Sequence, residues 1–347
     1  MPSEYNIRDK VRGSIFGGAI GDALGYQIEF ETGIKPKQVT RFKENPGIFS
    51  DDTQMTLFTA CSLLWREERF RMRGIAALPH EAVYLGYLDW LDTQQRAEEH
   101  DHVAWIREIP ELNIMRDPGM TCISALSSGK RGTLENPIND SKGCGGIMRI
   151  APVGLYLNPL VTDMSVGEFS ARICAITHGH PLAILSAFVF GETIFHLTNM
   201  NSSVEESVNF ALDKMDAWRP YMPSKSGDFR RTNLYKKEKP ELRAIIEQSI
   251  ALAKDKPITD QQAIMRLGDG WVAEEALAIA IYSALKHESS FEDTVICAVN
   301  HDGDSDSTGS IAGNIIGARL GYDKIPDYFR ENIELKEVLL KLSDDMA

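Results

Sequence analysis

Three aspartates stand at alternate positions in HDGDSDSTGSIAGNIIGARLG, residues 301–321: Asp302, Asp304 and Asp306. Carboxylates a few ångströms apart repel by roughly 4 kcal/mol per pair at about 4 Å and an effective dielectric near 20, so something cationic must offset them. An EF-hand calcium loop needs Gly at its sixth position and Glu at its twelfth. Counted from Asp302, those places hold Ser307 and Gly313, which excludes that loop. The remaining reading puts Asp304 and Asp306 in the turn before a helix, with Ser307 near its N-cap. A second acidic group, Ser50, Asp51 and Asp52 in FSDDTQMTLFTACSLL, also precedes a helical pattern. There Asp51 and Gln54 read as a capping box, and helix capping alone accounts for the motif.

A third stretch, RGSIFGGAIGDALGYQIEF, supplies a means of bringing the two groups together. Its glycines Gly13, Gly17, Gly21 and Gly25 are spaced by four, as are Gly309, Gly313, Gly317 and Gly321. Each glycine inside a helix costs about 1 kcal/mol against alanine, and close approach of two helix backbones is the offsetting reason. The two helices are therefore expected near the centre of the protein. Asp22 and Glu29, seven residues apart and read as sharing a face, would be carried towards Asp304 and Asp306. Carboxylate and hydroxyl oxygens without obligatory His or Cys suit Mg2+ or Mn2+ better than Zn2+. At least four carboxylates and two hydroxyls leave room for two such ions, roughly 3.5–4 Å apart.

The elements that must position these groups read as helices. Leu57, Cys61 and Leu64, Val83, Tyr87 and Leu91, Ala276, Ala280 and Ala284, and Leu335, Leu339 and Leu342 recur at three- or four-residue intervals, and strand alternation is scarce. With Pro- and Gly-bearing connectors such as NPGIFS, RDPGM, LENPIND and MPSKSGD between them, residues 1–347 are expected to fold as one all-α domain. Between Lys214 and Arg243 lies a basic island with Lys225, Arg230, Arg231, Lys236, Lys237 and Lys239, read as a solvated loop or as a lid or partner-contacting insertion.

A net charge of −13 argues against nonspecific nucleic-acid binding, which draws on a basic surface. The five cysteines are scattered and never form CxxC, so neither a cysteine zinc site nor a disulfide framework is expected, and a reducing cytoplasm fits. The signal-like run GSIFGGAIGDALG is interrupted by Asp22. No stretch reads as long and apolar enough to span a bilayer, so no membrane partner is expected.

The motifs also occur in a telling order: GxxxGDALG with a following Glu, then SDDT, GCGGIMRIAP (Gly143 to Pro152), THGHP (Thr177 to Pro181), GWVAEEALAIA and GDSDSTGSIAG. In that order they resemble the ADP-ribosylglycohydrolases, the group that includes the dinitrogenase reductase-activating glycohydrolase and the ADP-ribosylarginine hydrolases. The match runs from Val11 to Pro326. It implies a compact, orthogonal all-α bundle around a central binuclear Mg2+ or Mn2+ site, an ADP-ribosylated protein as substrate and ADP-ribose as product. Carried over by motif, the metal ligands would be Ser50, Asp51, Asp52, Asp304, Asp306 and Ser307. Glu29 falls where the family has an acidic residue near metals and substrate. Gly143, Gly145, Gly146 and Met148, with His178 and Asp302, correspond to segments lining the ADP-ribose cleft. Two departures stand out: Cys144 where many members have Asn, and His301-Asp302 in place of commoner small residues.

For this chemistry the anomeric carbon passes through an oxocarbenium-like transition state. Asp304 or a neighbour is expected as the base, with Glu29 positioning substrate or water. The N–H groups of the Gly143 to Gly146 loop and Arg149 are candidates for accommodating the pyrophosphate, although Arg149 also reads as a structural salt-bridge or surface residue. Trp90, Trp105 and Phe188 are candidates for stacking on adenine, against a plainer role in the core. Excess negative charge favours a departing guanidinium and hence ADP-ribosylarginine. A two-metal phosphohydrolase and a noncatalytic ADP-ribose-binding relative are the alternatives.

Overall fold

Helical periodicity is realised almost throughout. The computed structural model describes residues 4–30, 38–75, 77–95, 100–156, 164–220 and 229–347, and no strand occurs among them. Fifteen α-helices are described: α1 (Glu4–Tyr26), α2 (Asp51–Arg73), α3 (Pro79–Gln94), α4 (Met120–Ser127), α5 (Ala151–Leu155), α6 (Val166–Cys174), α7 (Pro181–Met200), α8 (Val204–Ala217), α9 (Phe229–Lys254), α10 (Asp260–Leu267), α11 (Ala273–Lys286), α12 (Phe291–Val299), α13 (Ser305–Leu320), α14 (Asp327–Glu331) and α15 (Lys336–Met346). The protein is all-α.

The two glycine rows form its axis. A Cβ added at Gly13, Gly17, Gly21 or Gly25 would overlap the backbone carbonyl of Gly317, Gly313, Gly309 or Ser305 respectively. α1 and α13 therefore run antiparallel with their backbones in direct contact, and only glycine permits that approach. Gly321 does not continue the row: it ends α13 with φ 90°. Ser14 Oγ donates to the Asn314 carbonyl at 3.0 Å, Asn314 Nδ2 donates to the Ser14 carbonyl at 2.8 Å, and Ser305 Oγ donates to the Gly25 carbonyl at 3.0 Å.

The helix starts differ in detail from expectation. α2 is capped by Ser50, whose Oγ accepts from Asp52 N at 3.2 Å, and no Asp51–Gln54 box forms. The Gln54 side chain instead bonds the Ile114 carbonyl and accepts from Trp90 Nε1 and Gln94 Nε2, because α3 packs against this face of α2. At α13 the N-cap is Asp304, not Ser307: its Oδ1 accepts from Ser307 N at 3.2 Å, the reach of a cap to the third helical residue. α1 ends at Tyr26, so Glu29 shares no helical face with Asp22 and lies in the turn beyond.

α7 corrects the membrane reading of the sequence. This helix is long and apolar enough to cross a bilayer, but 89% of its most apolar window is buried within the protein, where α5, α6, α8, α9 and α11 pack on it. Of the basic segment 214–243, Lys225 and the rest of residues 221–228 lie outside the described residues, whereas residues 229–243 begin the helix α9. Trp90 and Phe188 are fully buried core residues, and only Trp105 is partly exposed, beneath the Lys341 ammonium.

Candidate functional site

Asp22 determines where α2 begins. Buried near the C-terminal end of α1, it accepts from Ser50 N at 2.9 Å, from Thr53 N at 2.9 Å and from Thr53 Oγ1 at 2.5 Å. Its oxygens are thereby spent on joining two helices. A second frame lies behind Asp51: Arg116 forms a buried ion pair with Glu334 and donates to the Phe49 carbonyl at 2.7 Å, while Glu334 accepts from Phe49 N at 2.8 Å. Asp51 itself donates its N–H to the Arg116 carbonyl and accepts from Gly119 N at 3.2 Å.

On this scaffold the acidic motifs converge. Glu29, Asp304 and Asp306 place carboxylate oxygens within 4.8 Å of one another, and Asp306 is the strongest charged neighbour of both Asp51 and Asp52. Ser307 sits among them, its N–H donating to Asp306 Oδ1 at 2.8 Å. Cys144 presents its thiol to Asp304 Oδ2 at 2.7 Å. Burial and mutual repulsion raise the carboxyls around Asp306: Asp51, Asp52 and Asp304 well above the usual range, Glu29 up to about 11 by burial, Asp306 and Asp304, and Asp22 up to about 7 by burial and Asp306. Burial and the charge of Asp304 also push the Cys144 thiol up, so it stands protonated as a donor.

Do these residues fit divalent cations? Asp52 Oδ2 is buried with no hydrogen-bond partner, an orphaned charge that folding tolerates only with compensation. The donor set is carboxylate and hydroxyl oxygen, which is what Mg2+ and Mn2+ take. The fit holds.

The residues expected around the substrate divide. Gly143, Cys144 and Gly145 are partly exposed and bridged to the start of α11: Gly143 pairs with Val272, and Cys144 N donates to the Trp271 carbonyl at 3.1 Å. The N–H groups of Gly143 and Gly146 are also engaged, by Ser141 Oγ and the Gly143 carbonyl, so much of the expected anion cradle is occupied internally. Met148 is buried, its carbonyl accepting from Thr56 Oγ1. His178 is buried too, beneath Gly143, Gly145 and Gly146, where it meets the bare Cα positions of the loop. Burial and the Arg149 charge hold its pKa well below the usual value, so it supports the loop as a neutral ring. Asp302 is exposed and lines a different cavity of about 370 Å3 with Ile28, Asp260, Cys297 and Asn300.

Arg149 is neither at the surface nor in a carboxylate salt bridge. It is fully buried, lies over the Tyr87 ring at 4.5 Å, and donates to Met55 Sδ, Cys122 Sγ and Thr177 Oγ1. From there its charge favours the ionised form of Asp51. His301 is likewise structural: Gly303 N donates to its Nδ1 at 3.1 Å, and Nε2 bonds Thr308 Oγ1 at 2.8 Å.

The family model for ADP-ribosylglycohydrolase matches residues 3–347. The chain belongs to this family. The ADP-ribosyl-[dinitrogen reductase] glycohydrolase of Rhodospirillum rubrum is 23% identical to this chain over 95% of the chain and 92% of its own length. The ADP-ribosylarginine hydrolase Tri1 of Serratia proteamaculans is 23% identical over 99% of the chain and 80% of its own length. In structure, an ADP-ribosylglycohydrolase-related protein complex superposes with a TM-score of 0.66 at 21% identity, covering 99% and 98% of the two chains, which is a likeness of fold. Family membership supports a hydrolase that removes ADP-ribose.

The scaffold of this site is not legible in the sequence. Arg116 and Glu334 belong to no motif, and nothing local marks them. Asp22 was visible as an acid within the glycine row, but its use as a tether depends on where α2 packs.

Proposed function

We propose that this protein is a metal-dependent glycohydrolase that cleaves the glycosidic bond between ADP-ribose and modified protein side chains, preferring the N-linked ADP-ribosylarginine to the O-linked ADP-ribosylserine. The supporting observation is the convergence of Glu29, Asp51, Asp52, Asp304 and Asp306 on one place, with Asp52 Oδ2 left unpartnered. Two Mg2+ or Mn2+ ions held by Ser50, Asp51, Asp52, Asp304, Asp306 and Ser307 would supply the positive charge that orients ribose hydroxyls and lowers the pKa of a water.

The chain's own groups then have distinct tasks. Asp304 accepts the proton of the attacking water, and the Cys144 thiol on its Oδ2 fixes the carboxylate's orientation. Glu29, in the turn past α1, positions substrate or water. The water oxygen bonds to the anomeric carbon as the carbon–nitrogen bond breaks. The electron pair stays on the guanidine nitrogen, which then takes up a proton. The acidic surroundings stabilise both the oxocarbenium character of the transition state and the departing guanidinium. That preference, together with the name of the Serratia relative, supports the arginine substrate. A cytoplasmic setting suits the five free thiols.

Release of free ADP-ribose from arginine-modified and serine-modified peptides, with and without EDTA, tests this reading. Wild type with Mg2+ should prefer the arginine peptide, EDTA should abolish release, and Asp304→Ala should slow it by roughly 10²–10⁴-fold. Undiminished release by Asp304→Ala, or turnover confined to phosphate esters, would overturn it.

A further inference from the structure

A second group of ligand-type side chains has no part in that chemistry. Asp89, Asp92, His100 and His102 each bring one donor atom to a place where all four lie within 4.8 Å of one another. Asp89 and Asp92 stand three apart on α3, hence on one face. His100 and His102 alternate in the segment leading to the short 3-10 turn Trp105–Glu108. The pattern is DxxD followed by HxH.

Asp89 is fully buried and already oriented. Its Oδ2 accepts from Val103 N at 2.8 Å and Ala104 N at 2.7 Å, which leaves Oδ1 aimed at the imidazoles. Oδ1 lies 2.6 Å from His102 Nδ1 and 3.1 Å from His100 Nε2, while Asp92 Oδ2 lies 3.8 Å from His100 Nε2 and 4.0 Å from His102 Nδ1. Ligands about 2.0–2.1 Å from a tetrahedral ion stand roughly 3.3 Å apart, and the four separations straddle that value. Two imidazole nitrogens and two carboxylate oxygens are donors for Zn2+ rather than for Mg2+. The backbone N–H groups on Asp89 Oδ2 are the outer support that ligating carboxylates ordinarily have.

We propose that Asp89, Asp92, His100 and His102 form a structural zinc site, separate from the acidic centre. It would brace residues 100–104 against α3, at the start of the stretch that leads to Arg116 and Gly119, the two backbone partners of Asp51. The proposal does not depend on the glycosidase reading.

The test uses the full chain, stripped of metal, held in excess Mg2+ to occupy the acidic centre, then given Zn2+ and desalted before elemental analysis. Wild type and Asp304→Asn should each retain one zinc per chain. His102→Ala, whose side chain is 43% exposed, should lose it together with the zinc-induced rise in Tm. Co2+ in place of Zn2+ should give the intense visible bands of tetrahedral coordination in wild type and Asp304→Asn but not in His102→Ala or Asp92→Asn. No zinc uptake by wild type, retention by both His102→Ala and Asp92→Asn, or loss in Asp304→Asn would each overturn the assignment.

Discussion

Asp52 illustrates how much a single residue type can disclose. Its place directly after Ser50 and Asp51 at a helix start was readable in the sequence, and so was the ambiguity: capping and ligation want the same residues. The structure separates the two. Ser50 does the capping, and Asp52 keeps one buried oxygen with no partner. Without metal, burial and neighbouring charges disfavour the ionised form of this carboxyl, at about 1.4 kcal/mol for each pKa unit of displacement. Asparagine incurs no such cost. Asp52→Asn should therefore raise the Tm measured in EDTA and shrink the rise on adding Mg2+. A lower Tm in EDTA with an unchanged Mg2+ response would show that the carboxylate serves the fold. Cys144 is the residue-scale departure that acquires a reason here: a protonated thiol, like an amide, can donate to Asp304.

Among the elements, α1 and α13 were the most readable, because glycine at every fourth position has a definite cost inside a helix and few ways to recover it. Their contact supports a test. Gly17→Ala gains about 1 kcal/mol of helix propensity, but its methyl overlaps the Gly313 carbonyl, and overpacking costs about 1–3 kcal/mol or more when the obstacle is backbone. The substitution should lower the urea midpoint. Gly119→Ala points into open space and should stay within about 0.5 kcal/mol of wild type. Equal midpoints for the two variants would refute the packing argument. α9 was the least readable element. Its basic residues and Pro240 looked like a loop, yet Lys239 Nζ donates to the Trp218 and Asp216 carbonyls and Arg243 pairs with Asp213 and Asp216. Cations here complement the C-terminal end of α8, a partner that the local sequence does not show.

At the scale of the whole molecule, clustering so many acids in the interior couples stability to both protons and metal. Asp22 is raised to about 7 and Glu29 to about 11, against about 4 for unfolded carboxyls. The folded state then binds more protons than the unfolded chain. Their contribution is fully present below about pH 4 and is lost as pH rises through the folded values. In EDTA the unfolding free energy should fall from about pH 5 to about pH 8. Saturating Mg2+ should flatten that slope by replacing protons as the counter-charge. Stability in EDTA that climbs with pH across this window would contradict the clustered site. The opposite linkage at Asp344, held down by Arg8 and Arg12, acts at the acid end, outside the window. Residue types alone disclosed a set of oxygen donors and the paired glycine rows, because side-chain type sets what an oxygen can bind and glycine alone lets two backbones touch. Tertiary structure decided which oxygens remain available: Asp22 spends its own on the start of α2, Asp302 turns to another cavity, and His178 and Met148 are buried under or beside the loop they were expected to present. Whether a lone pair faces a ligand or a distant backbone N–H depends on packing between segments far apart in the chain, and no local spacing records it.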